Sequence, residues 1–181
     1  MNIELIQKSI LKQEIQLDFI EKILHYRLSI ILFVIAIFSL LIYNESALNL
    51  EIDFENTTFK IATTFLLLSM ISFLYQKSNL KLKSIIVKDT KEKVFERIFE
   101  IAKNKNWEID FQSNNSIILK TKRPFSPARY FISKSYGEKI FIFFKPTEIL
   151  LRSIHNFDKS YSFVVSSGEN IENENYIKRI I

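Results

Sequence analysis

The feature that most constrains this chain is a pair of charge-free apolar runs. One spans Leu28 to Tyr43, within RLSIILFVIAIFSLLIYN, and the other spans Ile61 to Gln76, IATTFLLLSMISFLYQ. A sixteen-residue helix rises roughly 24 Å, against a hydrocarbon core of about 30 Å. The flanks supply the difference, because Tyr26, Arg27 and Tyr43 border the first run, and Phe59, Lys60, Tyr75 and Lys77 border the second. Aromatic and long basic side chains of this kind sit at a membrane interface. Neither run has a polar face for water, which argues against two core helices of a soluble domain. Thr63, Thr64, Ser69 and Ser72 can bond to helix carbonyls or to the partner helix. The reading is a transmembrane hairpin over 27–77, with spans at about 27–43 and 60–76.

Direction follows from the basic residues near the span ends. Lys22 and Arg27 precede the first span, and Lys77, Lys81, Lys83 and Lys88 follow the second. The connecting NESALNLEIDFENTT has no Lys or Arg and carries Glu45, Glu51, Asp53 and Glu55. Both termini are therefore expected on the cytoplasmic side, with a short acidic loop outside. A cleaved leader is not expected. The 27 residues before Leu28 carry Glu4, Glu14, Asp18 and Glu21, and Glu45-Ser46-Ala47 puts a charge where cleavage needs a small residue.

Ahead of the first span, residues 1–26 read as an amphipathic helix. Ile3, Ile6, Ile10, Leu17, Ile20 and Leu24 follow a 3–4 spacing broken at Gln13, and Leu5, Leu11, Ile15, Phe19 and Ile23 widen the stripe. Such a helix can continue into the span, pair with a copy of itself, or lie along the membrane or the domain.

The remaining 84–181 suffice for one small core. SIIVKD reads as a strand. Asp89 and Glu92 fit a capping box that opens a helix whose apolar face is Val94, Phe95, Ile98, Ile101 and Ala102. WEIDFQ alternates Trp107, Ile109 and Phe111 against polar residues. SNNS is a turn by the tolerance of Asn for positive φ, and IILKTK is the returning strand. EKIFIFFK, PTE and ILLRSI make a second hairpin, and YSFVVSS is a strand or an extended lead-in. ENIENENYIKRII closes the chain as a helix with Ile171, Tyr176, Ile177 and Ile180 inward. The expected fold is a membrane protein, with a two-helix transmembrane hairpin plus a small cytoplasmic α+β domain of antiparallel sheet and two helices.

Charge separates the two parts. Residues 1–83 hold eight Lys/Arg and eight Asp/Glu, whereas 84–181 hold seventeen and twelve, so the later part carries the whole net charge of +5. Anionic lipid head groups are the natural neighbours of a basic domain beside a bilayer, and nucleic acid is the weaker alternative. With no cysteine, the chain has no disulfide framework, thiolate metal site or cysteine nucleophile. His25 and His155 fall in different parts of the chain. The sequence contains no Gly-rich phosphate loop, H-E-x-x-H or G-x-S-x-G. Glu169, Glu172 and Glu174 read as complements of a helix dipole, and His155, in IHNFDK, reads as a surface turn residue. No catalytic, metal or cofactor site is expected, and the chain reads as a non-enzyme.

One segment stands apart. KTKRPFSPARYFISKSYGEK, Lys120 to Lys139, interleaves Lys120, Lys122, Arg123, Arg129 and Lys134 with Phe125, Tyr130, Phe131 and Tyr136. Bases among aromatics suit phosphates and ring faces, so Lys122, Arg123, Arg129, Tyr130 and Lys134 are candidate contacts for anionic lipid or a nucleotide-like ligand. The leading reading of the segment is nevertheless a long hairpin connection whose aromatics fold back on the core, with Lys and Arg in solvent.

Three segments carry a resemblance: W-x-I at Trp107, G-E-x-I-x-I at Gly137, and G-x-N-x-x-N at Gly168. Over residues 85–181 the chain resembles a domain of uncharacterised small bacterial proteins, from which no activity can be carried over. YSFVVSSGEN departs from that pattern by lacking an aromatic just before the Gly. The two apolar runs and the basic residues beside them make the expected protein multi-pass, and with the resemblance to bacterial proteins its expected place is the bacterial inner (cytoplasmic) membrane. The function expected is the tethering of a small cytoplasmic binding or scaffolding domain, with the lipid bilayer and a homo-oligomer or membrane complex as partners. The alternative, by architecture alone, is a ligand-gated membrane effector of the phage-defence kind that senses a nucleotide.

Overall fold

The computed structural model describes residues 2–46, 56–121, 137–156 and 168–181. Their order is α1 (Ile3–Lys12), α2 (Phe19–Ser46), α3 (Thr57–Ser78), β1 (Lys83–Ile86), α4 (Lys91–Asn104), β2 (Glu108–Ser113), β3 (Ser116–Lys120), β4 (Glu138–Phe144), β5 (Glu148–His155) and α5 (Glu169–Ile180). The chain forms two compact units. Phe19–Asn79 is one, and Met1–Asp18 joins Leu80–Ile181 in the other.

The first unit is a helical hairpin. Its helices hold 28 and 22 residues, for lengths of roughly 42 and 33 Å. Both are long and apolar enough to cross a membrane. They exceed the charge-free runs because α2 begins at Phe19, well before Arg27, and so absorbs the end of the predicted N-terminal helix. Small and polar residues face one another between the helices. Ser29 and Ala36 on α2, and Ala62 and Ser69 on α3, are buried at seven-residue spacings. Such residues let two helix backbones approach closely. The Ser69 hydroxyl donates to the Ser29 carbonyl at 2.8 Å, and the Ser29 hydroxyl donates to Gln76 Oε1 at 3.0 Å. His25 Nε2 lies 2.8 Å from the Gln76 carbonyl oxygen. Thr63 and Thr64 turn back on their own helix, bonding the Phe59 and Lys60 carbonyls. Large apolar side chains point outward: Phe38 is 62% exposed, and Leu67 and Ile71 are each 63% exposed.

The second unit begins with an arm that the sequence reading places elsewhere. The helix predicted over 1–26 breaks at Gln13, whose φ of 50° is left-handed. Ser9, fully buried, organises the reversal. Its carbonyl accepts from Gln13 and Glu14, and its hydroxyl accepts from the Gln16 amide at 2.8 Å. The chain then runs extended alongside the residues that follow α3. Ile15 N–H donates to the Leu80 carbonyl at 2.9 Å, and Leu82 N–H donates to the Gln13 carbonyl at 3.0 Å. Ile6, Ile15, Leu17 and Leu80 are buried there. The amphipathic stripe of the first eighteen residues therefore serves the domain, and that of 19–26 serves the hairpin.

The sheet has the order β1-β5-β4-β3-β2, antiparallel throughout. On one face α4 and α5 cover Ile117, Leu119, Ile140, Ile142, Phe144, Ile149 and Leu151, with Val94, Ile98, Ala102 and Ile177 as the helical side of the core. Phe141, Phe143, Ile118, Leu150 and Ile154 occupy the opposite face and are buried as well. That is why β4 is an unbroken apolar run after Glu138-Lys139 rather than an alternation.

Several local expectations are redirected. Thr90, not Asp89, is the N-cap of α4, and it makes no side-chain cap bond. Asp89 instead pairs with Arg97 at 2.7 Å. A bulge between Ile109 and Phe111 breaks the alternation of β2, so Phe111 opposes Ile118 on the face away from the helices. Asn114 and Asn115 do not take positive φ, which among described non-glycine residues falls to Gln13 and Asn106. The β2–β3 turn is held by Ser113, whose hydroxyl meets that of Ser116 at 2.6 Å. At the start of β5, the Lys145 ammonium and the Ser84 hydroxyl hold the Glu148 carboxyl below its usual range.

Candidate functional site

The candidate contacts Lys122, Arg123, Arg129, Tyr130 and Lys134 lie outside the described residues, as does YSFVVSS. The structure does describe the neck from which the basic aromatic segment departs. β3 and β4 pair directly up to Lys120 opposite Lys139, so the segment joins two neighbouring strands. Beyond that pair, Thr121 N–H donates to the Glu138 carbonyl at 2.8 Å. The Thr121 hydroxyl donates to Glu138 Oε2 at 2.8 Å and accepts from the Glu138 amide at 2.7 Å. Gly137 makes this closure possible at a φ of +83°, since a Cβ there would lie 2.1 Å from the Thr121 carbonyl oxygen. Lys120 forms an ion pair with Asp110, and Lys139 lies 4.0 Å from the same carboxylate. These two lysines, which bound the segment in the sequence, therefore face a carboxylate of the sheet itself.

The neck belongs to a polar row across the sheet. Glu138 opposes His155 in register, and Thr121 stands on the other side of Glu138. All three are buried, with Glu138 2% exposed. The preceding row on this face is Leu119, Ile140 and Ser153, and the central strands then carry Ile117, Ile142 and Leu151. His155 is thus the last residue of β5 and buried, not a surface turn residue. Its sequence neighbours Asn156 and Asp158 suggested a turn, but the strand runs through it. Asn156, also buried, donates its amide to the Gly137 carbonyl at 3.1 Å. The row sets hydroxyl, carboxylate and imidazole groups side by side, each able to take part in hydrogen bonds. Among the described residues, no group of three or more His, Cys, Asp or Glu side chains could hold a metal ion.

α5 contributes the second polar feature. The sequence reading turns Ile171 and Ile180 inward, yet they are 58% and 37% exposed. The inward line runs through Asn170, Glu174, Ile177 and Ile181, with Glu174 and Ile177 buried and the other two half-buried, a 3–4 spacing that the charge of Glu174 hides in the sequence. Glu174 is only 4% exposed. β1 starts pairing at Lys83 opposite Leu151, which leaves the Ser153 amide beyond its reach. Glu174 Oε1 accepts that N–H at 3.0 Å. Lys83 Nζ at 2.6 Å and the Arg152 guanidinium at 3.7 Å compensate the carboxylate charge. The Ser153 hydroxyl donates to Asn170 Oδ1 at 3.0 Å. Glu174→Gln keeps an acceptor for Ser153 but removes the charge facing Lys83 and Arg152. It should lower stability by about 1.5–3 kcal/mol, measured by urea unfolding.

The chain matches no family model, no curated protein and no solved structure. The three segments behind the resemblance fall at structurally demanding places. Trp107 packs on the core at the entrance to β2, Gly137 closes the neck, and Gly168 is the N-cap of α5 at a φ of +106°.

Proposed function

We propose that this chain is a two-pass protein of the bacterial inner membrane, with both termini in the cytoplasm. In this reading its hairpin tethers a small binding or scaffolding domain and performs no catalysis. The observation that carries it is the pairing of residues 13–15 with 80–82. Those hydrogen bonds require the chain before α2 and the chain after α3 to lie on one side of any bilayer that the helices cross. An even number of passes satisfies this, and Lys77, Lys81 and Lys83 favour the cytoplasm for that side. The outward apolar side chains of α2 and α3 suit lipid and would be costly in water.

Reporter fusions test the topology. A cytoplasmic reporter should be active after Ile181 and before Met1, and a periplasmic reporter only when inserted within 47–55. Periplasmic activity at either terminus would sink the reading.

The effector alternative rests on architecture alone, a two-helix hairpin joined to a small separate domain. Expression separates the two readings. A scaffold is tolerated by the host, whereas a gated effector depolarises the membrane when its signal is present.

A further inference from the structure

We infer that the outer edge of β1 is the surface through which two copies of this chain pair, strand against strand. Among the described residues the sheet ends at β1 on one side and β2 on the other. The two edges are not alike. β2 carries a bulge at Asp110 and the charges of Glu108 and Asp110, devices that discourage further pairing. β1 has no bulge, and its one charge, Lys83, lies at the end away from Ile86 and is paired with Glu174. Among the described residues its only partner strand is β5, and the arm is spent on 80–82, short of Ser84. Ile86 lies on this edge strand with 83% of its surface exposed, as open as any large apolar residue among those described.

The sequence around Ile86 fits a second copy of itself. An antiparallel pair centred on Ile86 sets Ile86 opposite Ile86, Ile85 opposite Val87, Ser84 opposite Lys88, and Lys83 opposite Asp89. Ile85 and Val87 already pack against the helix-covered core, so the pairing continues that core across the interface. Lys83 and Asp89, engaged with Glu174 and Arg97 in each copy, meet as opposite charges. Neighbouring two-fold registers fit worse. Centring on Val87 sets Ile86 against Lys88 and Ile85 against Asp89, and centring on Ile85 sets Ser84 against Ile86. Cross-strand partners of like sign or unlike polarity are disfavoured. A two-fold pair of this kind is closed, which suits a soluble edge better than an open stack. The inference holds whether the domain scaffolds or senses.

The chain has no cysteine, so Ile86→Cys can form only an inter-copy disulfide. Residues directly opposite in an antiparallel pair have Cα atoms about 4.5–5.5 Å apart, within disulfide range. The full chain in mild detergent, under gentle oxidation, should give a reducible dimer for Ile86→Cys. Ile109→Cys, on the β2 edge and 41% exposed, should stay monomeric at the same concentration. Equal crosslinking of the two variants overturns the proposal. In parallel, Ile86→Lys sets two ammonium groups face to face at an exposed position that the fold does not need. Dilution followed by light scattering should show dimer dissociation at least about tenfold weaker in affinity than wild type, with the melting temperature of the monomer unchanged. A wild-type chain that is monomeric at all concentrations tested, or an Ile86→Lys chain that associates like wild type, overturns it as well.

Discussion

Residues 2–18 joined to 80–181 by a short Gly/Ser linker should form a soluble domain that melts cooperatively, and the fragment 83–181 should be far less stable. The linker is feasible because the Ile15 amide bonds the Leu80 carbonyl at 2.9 Å, so the arm and the start of the domain strand are already neighbours. The fragment loses Ile6, Ile15 and Leu17, which are 5%, 1% and 2% exposed in the whole chain. Burying such side chains contributes about 1.5–3 kcal/mol each, and the sum is an upper estimate because unfolded chains are not fully extended. Loss of the hydrogen bonds from Ile15 and Leu82 adds to this. The expected difference is at least about 4 kcal/mol in urea unfolding. A fragment 83–181 within about 1 kcal/mol of the joined chain would mean that the arm merely rests on the domain.

This dependence on the arm was the least legible part of the fold. The stripe Ile3, Ile6, Ile10 is helical and was read so. The boundary was hidden because apolar spacing continues past Gln13 in a pattern that a longer helix would also satisfy. What breaks the helix is a left-handed Gln13 and the bonds of Ser9, neither of which announces itself in composition. The strands were easier. IILK, EKIFIFFK and ILLRSI are bounded by turns and rich in β-branched and aromatic residues, and they form β3, β4 and β5. The two apolar runs likewise stand out, because no charged residue interrupts either of them. The polar row was missed for a different reason. Thr121, Glu138 and His155 are far apart in sequence, and only the antiparallel register brings them side by side. Glu174 was missed because a carboxylate near a helix start is ordinarily solvated. Its burial depends on an unpaired Ser153 amide that only the position of β1 creates.

Gly137→Ala should unfold the domain or lower its stability by about 3–6 kcal/mol, and Gly168→Ala provides the internal comparison. Both glycines have positive φ, +83° and +106°, so alanine at either costs about 1–3 kcal/mol in backbone strain. Only at Gly137 does a steric cost follow. A Cβ there would stand 2.1 Å from the Thr121 carbonyl oxygen and 2.6 Å from its hydroxyl, whereas at Gly168 no atom lies within 4 Å. The first of those contacts is backbone, which cannot rotate aside, and relief would pull Thr121 away from the amide, carbonyl and carboxylate of Glu138. Forcing an extra methyl into a packed site costs about 1–3 kcal/mol further. The loss of bonds to a buried carboxylate would follow. Gly168→Ala should therefore fall short of Gly137→Ala by at least about 1.5 kcal/mol, with the unfolding slope unchanged. If the two substitutions cost the same, close approach to Thr121 is not what Gly137 supplies, and strain alone explains both glycines.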